Sequence, residues 1–330
     1  MISGRLVQAK ARILGVACVA LALGAIALPA KAQPYPSRSV TILVGYSAGG
    51  QADALARIIG KQLGENLKIS VVIENKTGAN GMIAAQAAAR AEPDGHTVLM
   101  VTDAMVTIDP HLATSNHFDL STAMEPVISI SWSPLLLAAA NNVPANSVAE
   151  LVTLGKQKTQ NLSFGSSGSS TPHRLAGEML QKYGGFTMTH IPYKGTAASV
   201  NDLLGGQIPL LFGAPTAVEP LATAGKIKLL GVTSEKRYPL LPNVPAISET
   251  FPQFKIISYI GFMLPKNTPK PVIAALNREV NQVLATDSMR AWLDKQGMVA
   301  VGGTSDDFRR QIEADYQARG ELVRSLGITE

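Results

Sequence analysis

Cysteine is almost absent from this sequence, and its absence excludes several kinds of chemistry. The only cysteine among the 330 residues is Cys18, and it lies within an N-terminal apolar run. Because that run has the features of a segment removed on secretion, the mature chain has no cysteine. A disulfide framework, a thiolate nucleophile and a sulfur metal ligand are therefore all excluded.

A strong excess of charge is also lacking once the N-terminus is set aside. Residues 1–32 hold four of the 29 Lys and Arg residues and none of the 24 Asp and Glu residues, which leaves a net charge of +1. Nucleic-acid binding is not supported, since it requires a concentrated basic face. Aromatic residues are few, at 5% of the chain. The abundant Ala, Val, Leu and Gly are typical of an α/β protein with buried strands.

The N-terminus has the three parts of a secretory signal peptide. Basic residues precede an uncharged apolar run over 13–28, and Ala30-Lys31-Ala32 follows as a small-x-small cleavage signal. The sequence thus predicts a signal peptide over residues 1–32, cleaved near Ala32. The alternative is a transmembrane anchor, but the run is short for one and Pro29 interrupts it. No second apolar run is long enough to cross a bilayer.

Strand-like and helix-like segments alternate along the rest of the chain. This alternation favours parallel sheets with helical crossovers, and hence an α/β fold. The strand candidates are residues 40–44, 69–74, 97–101, 127–139, 162–164, 188–191, 210–212, 228–233, 256–264 and 298–301.

Two stretches suggest that the chain leaves one domain, builds a second and returns. One is the long apolar run 127–139, and the other is the strand candidate 256–264, which follows a proline-rich loop. A chain that builds a second domain and returns needs two such crossings. We therefore predict a first domain of residues 33–130 plus 258–330 and a second domain of residues 131–257.

Two strand–loop–helix junctions are rich in glycine and hydroxyl side chains. The first spans residues 45–53, and the second spans residues 165–173, with Thr171 as an N-cap and Pro172 as the first helical residue. Glycines let backbone approach a ligand, and the amide groups at a helix N-terminus attract anions. Turn chemistry would explain either loop alone. Two such loops, one in each predicted domain, favour a shared anion site in a cleft.

The first loop also matches the G-x-S-x-G motif, in which Ser47 would be the nucleophile of a serine hydrolase. The rest of that motif's context is missing. Ser47 follows the first strand of the mature chain, no oxyanion loop of the HGGG type precedes it, and no late Asp…His arrangement follows. A secreted serine hydrolase therefore remains only as an alternative function.

Metal and cofactor motifs are weak. Asp109, His111, His117 and Asp119 lie close together, but their spacing fits no familiar ligand pattern. Gly78-Ala79-Asn80-Gly81 lacks the G-K-[ST] ending of a phosphate loop, so we interpret it as a turn into an alanine-rich helix. We expect neither a metal nor a cofactor.

A series of short motifs runs through the mature chain almost from end to end. The motifs are Tyr35-Pro36-Ser37-Arg38, Tyr46-Ser47-Ala48-Gly49-Gly50 with Asp53, Glu74-Asn75-Lys76, Gly78-Ala79-Asn80-Gly81, Pro93-Asp94-Gly95-His96-Thr97, Pro172-His173, Ala176-Gly177-Glu178, Pro192-Tyr193-Lys194-Gly195, Asp202-Leu203-Leu204-Gly205-Gly206, Leu241-Pro242-Asn243-Val244-Pro245 and Val301-Gly302-Gly303-Thr304. As an ordered set they resemble the Bug family, the periplasmic substrate-binding subunits of tripartite tricarboxylate transporters.

The resemblance implies a two-domain periplasmic-binding-protein fold, type II-like, with two crossover strands and a ligand cleft between the domains. It implies a receptor and not an enzyme. The receptor would bind a small di- or aromatic carboxylate in the periplasm, close about a hinge and deliver the ligand to membrane permease subunits, as a monomer. A periplasmic sensor subunit that binds the same ligand and signals to a membrane kinase is a further alternative.

The predicted site combines the two loops with positions where this chain departs from the family's pattern. Ser47 and Ala48 stand where two prolines are usual, and Gly213-Ala214-Pro215 stands where an acidic residue is common. Asp103 would disfavour a second ligand carboxylate unless it were protonated or bridged. The predicted ligand-binding residues are Tyr46, Ser47, Ala48, Gly49, Gly50, Asp53, Thr102, Asp103, Ser166, Ser167, Gly168, Ser169, Thr171, His173, Gly213, Ala214 and Pro215.

Overall fold

Two β-sheets organise the chain from Arg38 onwards. The computed structural model describes residues 35–112, 118–157, 161–168, 171–193 and 195–327. The predicted signal peptide, the predicted ligand-binding residue Ser169, and His117 and Lys194 of the motifs above lie outside the described residues. Across the described part of the chain, no helix combines the length and the apolar character needed to span a membrane.

The first sheet contains six strands. They are β1 (Val40–Val44), β2 (Val71–Asn75), β3 (Thr97–Thr102), β4 (Met124–Pro134), β10 (Ile257–Pro265) and β11 (Val299–Gly302), in the order β11-β4-β10-β3-β1-β2. Strand β1 is parallel to β2 and β3, whereas β10 is antiparallel to β3 and β4. The edge strand β11 is antiparallel to β4.

The second sheet contains five strands. They are β5 (Leu136–Ala140), β6 (Ser163–Ser166), β7 (Thr189–Pro192), β8 (Leu210–Gly213) and β9 (Ile227–Val232), in the order β7-β6-β8-β5-β9. Strand β6 is parallel to β7 and β8, and β5 is antiparallel to β8 and β9.

The prediction of purely parallel sheets is wrong at β5 and β10. Each is the first strand that the chain forms after it passes from one sheet to the other. It therefore enters its new sheet from the opposite direction to the strands that helical crossovers connect within that sheet. The prediction is also wrong at the edge strand β11, which is antiparallel to β4. The remaining strands of each sheet run in one direction.

The prediction of one long strand over residues 127–139 is also wrong. The structure divides this run at Leu135, so that β4 lies in the first sheet and β5 in the second. Pro134 has no N–H to donate. The N–H and the carbonyl of Leu135 both form hydrogen bonds with Thr233 instead. The apolar pattern does not reveal this break because Leu135 and the β5 residues after it are all buried.

The chain crosses from the first sheet to the second at Leu135 and returns at Ile256. Thr233 forms hydrogen bonds at both crossings. Its Oγ1 accepts from Leu135 N at 2.8 Å, its N–H donates to Leu135 O at 3.0 Å, and its carbonyl accepts from Ile256 N at 3.0 Å. Ile257 then pairs with Pro134. Thr233 is fully buried, so these bonds are protected from competition by water.

Helices surround the sheets, and the last one packs on both. They are α1 (Gln51–Leu67), α2 (Met82–Ala89), α3 (Asp103–Thr107), α4 (Asp109–Leu112), α5 (Leu120–Ala123), α6 (Val148–Gln157), α7 (Pro172–Gly184), α8 (Thr196–Leu204), α9 (Pro215–Thr223), α10 (Lys270–Ala285), α11 (Asp287–Lys295) and α12 (Ser305–Leu326). A short 3₁₀ turn, Ala79–Gly81, leads into α2 as predicted. In α12, Phe308 and Ile312 belong to the core of the first sheet and Val323 to that of the second.

Gly261 in the centre of β10 leaves room for the ring of Phe308. A Cβ at this position would lie 2.7 Å from the carbonyl oxygen of Ile128 and would also overlap the Phe308 ring.

We predict that Gly261→Ala lowers the free energy of unfolding by about 1–3 kcal/mol, because the backbone of β4 must shift. The control Gly205→Ala, at the exposed end of α8, should change it by less than about 0.5 kcal/mol. Equal urea midpoints for the two variants would contradict this prediction.

Candidate functional site

The first glycine loop, between β1 and α1, is held in shape by Asp53. This carboxylate is 2% exposed. Its Oδ2 accepts from Gly49 N and Arg57 Nε, both at 2.9 Å, and its Oδ1 accepts from Asn75 Nδ2 at 2.9 Å. The Arg57 hydrogen bond is the main reason that the pKa of Asp53 is lowered to about 2. Asp53 therefore acts mainly as an internal brace for the loop.

The loop itself exposes backbone to the surroundings. Residues 47–50 are exposed, and Gly49 has a φ of +83°. Gly50 is the N-cap of α1, and no side chain caps this helix. Because the first amides of a helix have no intrahelical acceptor, the start of α1 presents N–H groups beside the Ser47 hydroxyl.

Tyr46 links the carboxyl ends of β1 and β3. Its hydroxyl lies 2.7 Å from Thr102 Oγ1, and burial raises its pKa to about 12. Asn75 Nδ2 donates to the Tyr46 carbonyl at 3.0 Å. The structure thus brings Tyr46, Thr102 and the braced loop together at one edge of the first sheet.

Asp103 is paired with Arg319, a partner that the sequence analysis missed. Arg319 Nη1 donates to Asp103 Oδ2, and Arg319 Nη2 donates to the Ile257 carbonyl at 2.6 Å. Only 4% of the Asp103 side chain and 7% of the Arg319 side chain is exposed. Burial raises the pKa of the Asp103 carboxyl, and the Arg319 charge opposes this. The bridged state, which the sequence allowed as one possibility for Asp103, is the one that the structure contains.

Ser166, at the end of β6 where the second glycine loop begins, is paired with His190 of β7. Ser166 Oγ lies 2.7 Å from His190 Nε2 and 2.9 Å from the Gly168 carbonyl. The carbonyl can only accept, so the hydroxyl donates to Gly168 O and His190 Nε2–H donates to the hydroxyl. Burial lowers the pKa of His190 to about 4, with a smaller contribution from the charge of Arg174. Ser166 is thus a positioned hydroxyl and not an activated nucleophile.

His173, the second residue of α7, is also neutral. Ser167 Oγ lies 3.1 Å from His173 Nδ1, and burial lowers the pKa of His173 to about 4. Its Nε2 is buried without a hydrogen-bond partner among the described residues. Thr171 occupies the N-cap position of α7, as predicted, but its hydroxyl donates to Gly168 O at 2.7 Å and does not cap the helix.

The turn at Gly213-Ala214-Pro215 lies next to the second loop. It follows β8, which is parallel to β6 and adjacent to it, so the two strands end at the same edge of the sheet. Ala214 is the N-cap of α9, and this helix also has no side-chain cap. The structure therefore places uncapped starts of α1, α7 and α9 at strand ends in both sheets.

Gln296 and Gly297 bring the first loop close to the Pro215 turn. Gln51 Nε2 donates to the Gln296 carbonyl at 3.2 Å. A Cβ built on Gly297 would lie 3.0 Å from Pro215 Cβ, so the two segments are in close contact there. Neither residue could be predicted from the sequence, because an ordinary turn after α11 carries no signal for a distant neighbour.

A metal centre is not formed within the described ranges. No group of three or more His, Asp or Glu side chains there is arranged to hold a metal ion. His111, which the sequence analysis considered, instead lies 2.9 Å from the Tyr316 carbonyl through its Nε2.

Comparisons with known proteins identify the relatives of this chain. Residues 55–328 match the family described as tripartite tricarboxylate transporter family receptor. A UPF0065 protein of Bordetella bronchiseptica is 33% identical, over 98% of this chain and 95% of its own. An R. palustris protein solved with adipate is 32% identical, covers 90% of this chain over its full length and has a TM-score of 0.78.

The periplasmic binding protein BugD has also been solved. It is 31% identical, covers 90% of this chain over all of its own length and has a TM-score of 0.74. The resemblance seen in the ordered motifs is therefore confirmed, and so is the two-domain periplasmic-binding-protein fold. The relatives form a family of solute-binding receptors.

The lowered pKa of Asp53 predicts that the stabilisation it gives to the loop depends on pH. Its folded-state pKa of about 2 lies below the ordinary value of 3.8, so the stabilisation is present above about pH 4 and is lost as the pH falls towards 2. We expect Asp53→Asn to be less stable than the wild type at neutral pH, with the gap narrowing over this acid range. Urea midpoints at several pH values test this. The control is Glu92→Gln, on an exposed connection, and a gap for Asp53→Asn that does not depend on pH would contradict the prediction.

The buried Asp103–Arg319 pair predicts strongly non-additive substitutions. Arg319→Met should lower the free energy of unfolding by about 3–5 kcal/mol, because it leaves the Asp103 carboxylate buried without its partner. The double variant Asp103→Leu/Arg319→Met should recover much of this loss, since no buried charge remains. A double-mutant cycle by urea unfolding measures the coupling, and simple addition of the two single effects would refute it.

Proposed function

Because this chain belongs to the tripartite tricarboxylate transporter receptor family, we propose that it is a periplasmic receptor for a small dicarboxylate. The observation that carries this proposal is the set of uncapped helix N-termini at the ends of β1, β6 and β8. Backbone amides at such ends attract anions. The adipate bound to the R. palustris relative supports a dicarboxylate as the ligand class.

The two glycine loops would each bind one carboxylate of the ligand. At the first loop, the amides at the start of α1 and the Ser47 hydroxyl are the donors. At the second loop, the start of α7 and the Ser167 hydroxyl take this role, beside the neutral His173 ring. Bridging waters can complete such polar contacts, and polar sites that contain water can still bind tightly.

The acidic side chains near the first loop do not oppose an anionic ligand. Asp53 is paired with Arg57, and Asp103 is paired with Arg319. Each carboxylate is thereby neutralised within the protein, which reduces its repulsion of a bound carboxylate. This pairing therefore supports a carboxylate as the ligand, although the acidic residue Asp103 is present.

Closure about the two crossings would enclose the ligand. We infer the domain boundaries predicted from the sequence, with residues 33–130 plus 258–330 on one side and 131–257 on the other. The Thr233 hydrogen bonds lie on the second side, next to both crossings. Ligand binding to both domains would shift the population towards a closed form. The closed monomer, exported by the signal peptide over residues 1–32, would deliver its ligand to the permease subunits.

A thermal-shift experiment on residues 33–330 tests this function. Adipate should raise the unfolding temperature, because a ligand at about 100 times its dissociation constant adds roughly 2.7 kcal/mol to stability. Hexanoate, which has the same chain length with one carboxylate, should give a much smaller shift. Phthalate tests an aromatic dicarboxylate in the same assay.

Variants of the first loop make this test specific. Ser47→Ala should weaken adipate binding by roughly tenfold, because it removes a hydrogen bond to a charged group. Ser305→Ala, at the start of α12, is the matched control. No shift with any of the three carboxylates would count against the receptor, and ester cleavage that is lost in Ser47→Ala would favour the hydrolase.

A further inference from the structure

A cavity of about 350 Å³ lies at the two crossings, apart from the glycine loops. None of its lining residues belongs to the predicted ligand site. The lining consists of Trp132, Ser234, Glu235, Lys236, Arg237, Pro239, Lys255 and Ile257. Its volume is at the lower end of the range for small-molecule sites, which is about 300–1,000 Å³.

Both crossings between the sheets contribute a wall of this cavity. Trp132 lies near the end of β4, just before the first crossing, and Ile257 is the first residue of β10, just after the second. Residues 234–239 follow β9 and Thr233. The Ile257 carbonyl also accepts the hydrogen bond from Arg319 that belongs to the Asp103 pair. The cavity is therefore built on backbone that is held by hydrogen bonds on either side.

The lining has an apolar part, which we call the floor, and a charged part, which we call the rim, and the floor contains an indole. Trp132, Pro239 and Ile257 supply the apolar groups. The indole of Trp132 contacts the buried ring of Tyr238 edge to face, with ring centres 5.9 Å apart and an angle of 67°. Aromatic side chains prefer such edge and offset contacts with other rings. A flat aromatic group is thus a better match for this floor than a polar one.

The rim of the cavity carries an excess of positive charge. Lys236, Arg237 and Lys255 face one lining carboxylate, that of Glu235. Lys255 is paired with Glu235 at 3.2 Å, and Arg237 is paired with Glu249 at 2.8 Å. Within the described ranges, Lys236 forms no ion pair. An anionic group at the rim would find an ammonium group that is not already neutralised.

We propose that this cavity is a second ligand site, which binds an aromatic monocarboxylate. The ring would lie against Trp132 and Pro239, and the carboxylate would lie at the rim beside Lys236. A single carboxylate is expected because the cations of the lining lie at the rim, and a second carboxylate against the apolar groups would be buried without a counter-charge, which is costly. This ligand class differs from the dicarboxylate proposed for the glycine loops, so the two sites can be tested separately.

Tryptophan fluorescence gives a local readout of this cavity. The chain has two tryptophans, Trp132 and Trp292, so Trp292→Phe leaves Trp132 as the only reporter. We expect 4-phenylbutyrate to change its emission in a saturable way, with adipate present throughout to occupy the glycine loops. The neutral 4-phenylbutyramide should bind roughly tenfold more weakly, since it lacks the charge that Lys236 attracts.

Charge reversal at the rim tests the role of the cations. Lys236→Glu/Lys255→Glu in the Trp292→Phe background leaves one cation against three carboxylates on the lining. We expect its affinity for 4-phenylbutyrate to fall by roughly tenfold or more. The control Lys61→Glu/Lys226→Glu makes the same change in net charge on exposed lysines outside the lining and should bind as the parent does.

The same titrations can overturn the proposal. Unchanged Trp132 emission, equal binding of the acid and the amide, or an equal loss in the two double variants would each refute a charge-selective site at the crossings. Competition by adipate for the 4-phenylbutyrate signal would assign the probe to the glycine loops and would also refute it. Failure of adipate to bind would count against the proposed receptor, and the cavity would then be tested by the contrast between the two double variants, which does not depend on adipate.

Discussion

The structure depends on a hydrogen-bonded junction where the chain crosses twice between its sheets. Thr233 holds Leu135 and Ile256 together, and this places the inserted strands β5 and β10 in their sheets. All three residues are buried, so the bonds that join them are shielded from water. The proposed closure would turn about this junction while both sheets keep their register.

The charged side chains that stabilise the fold are separate from the loop surfaces that would bind a ligand. Asp53 and Asp103 are each neutralised by an arginine, and one of these arginines also holds the carbonyl of Ile257 at the second crossing. The loops themselves offer amides, hydroxyls and neutral histidines. In such a site the backbone supplies the attraction for an anion, because helix N-termini present several unsatisfied N–H groups at once.

The cavity at the crossings differs from the glycine loops in the chemical groups that it offers to a ligand. Its floor is apolar and its rim is basic, whereas the loops are polar and largely backbone. A molecule bound there would touch residues on both crossings, including Ile257, whose carbonyl is bound to Arg319. If such a molecule changed the equilibrium between the open and closed forms, closure would by linkage change the affinity for that molecule by the same factor.

The local elements of this protein could be predicted from its sequence. Glycines, prolines and apolar periodicity marked the strands, the helix starts and the two loops around Ser47 and Ser167, because these signals depend on near neighbours in the chain. Tertiary structure alone decided the break at Leu135, the pairing of Asp103 with Arg319 and the position of Gly297 against Pro215. Each of these joins residues far apart in sequence, and a residue type carries no information about which distant partner the fold will bring to it.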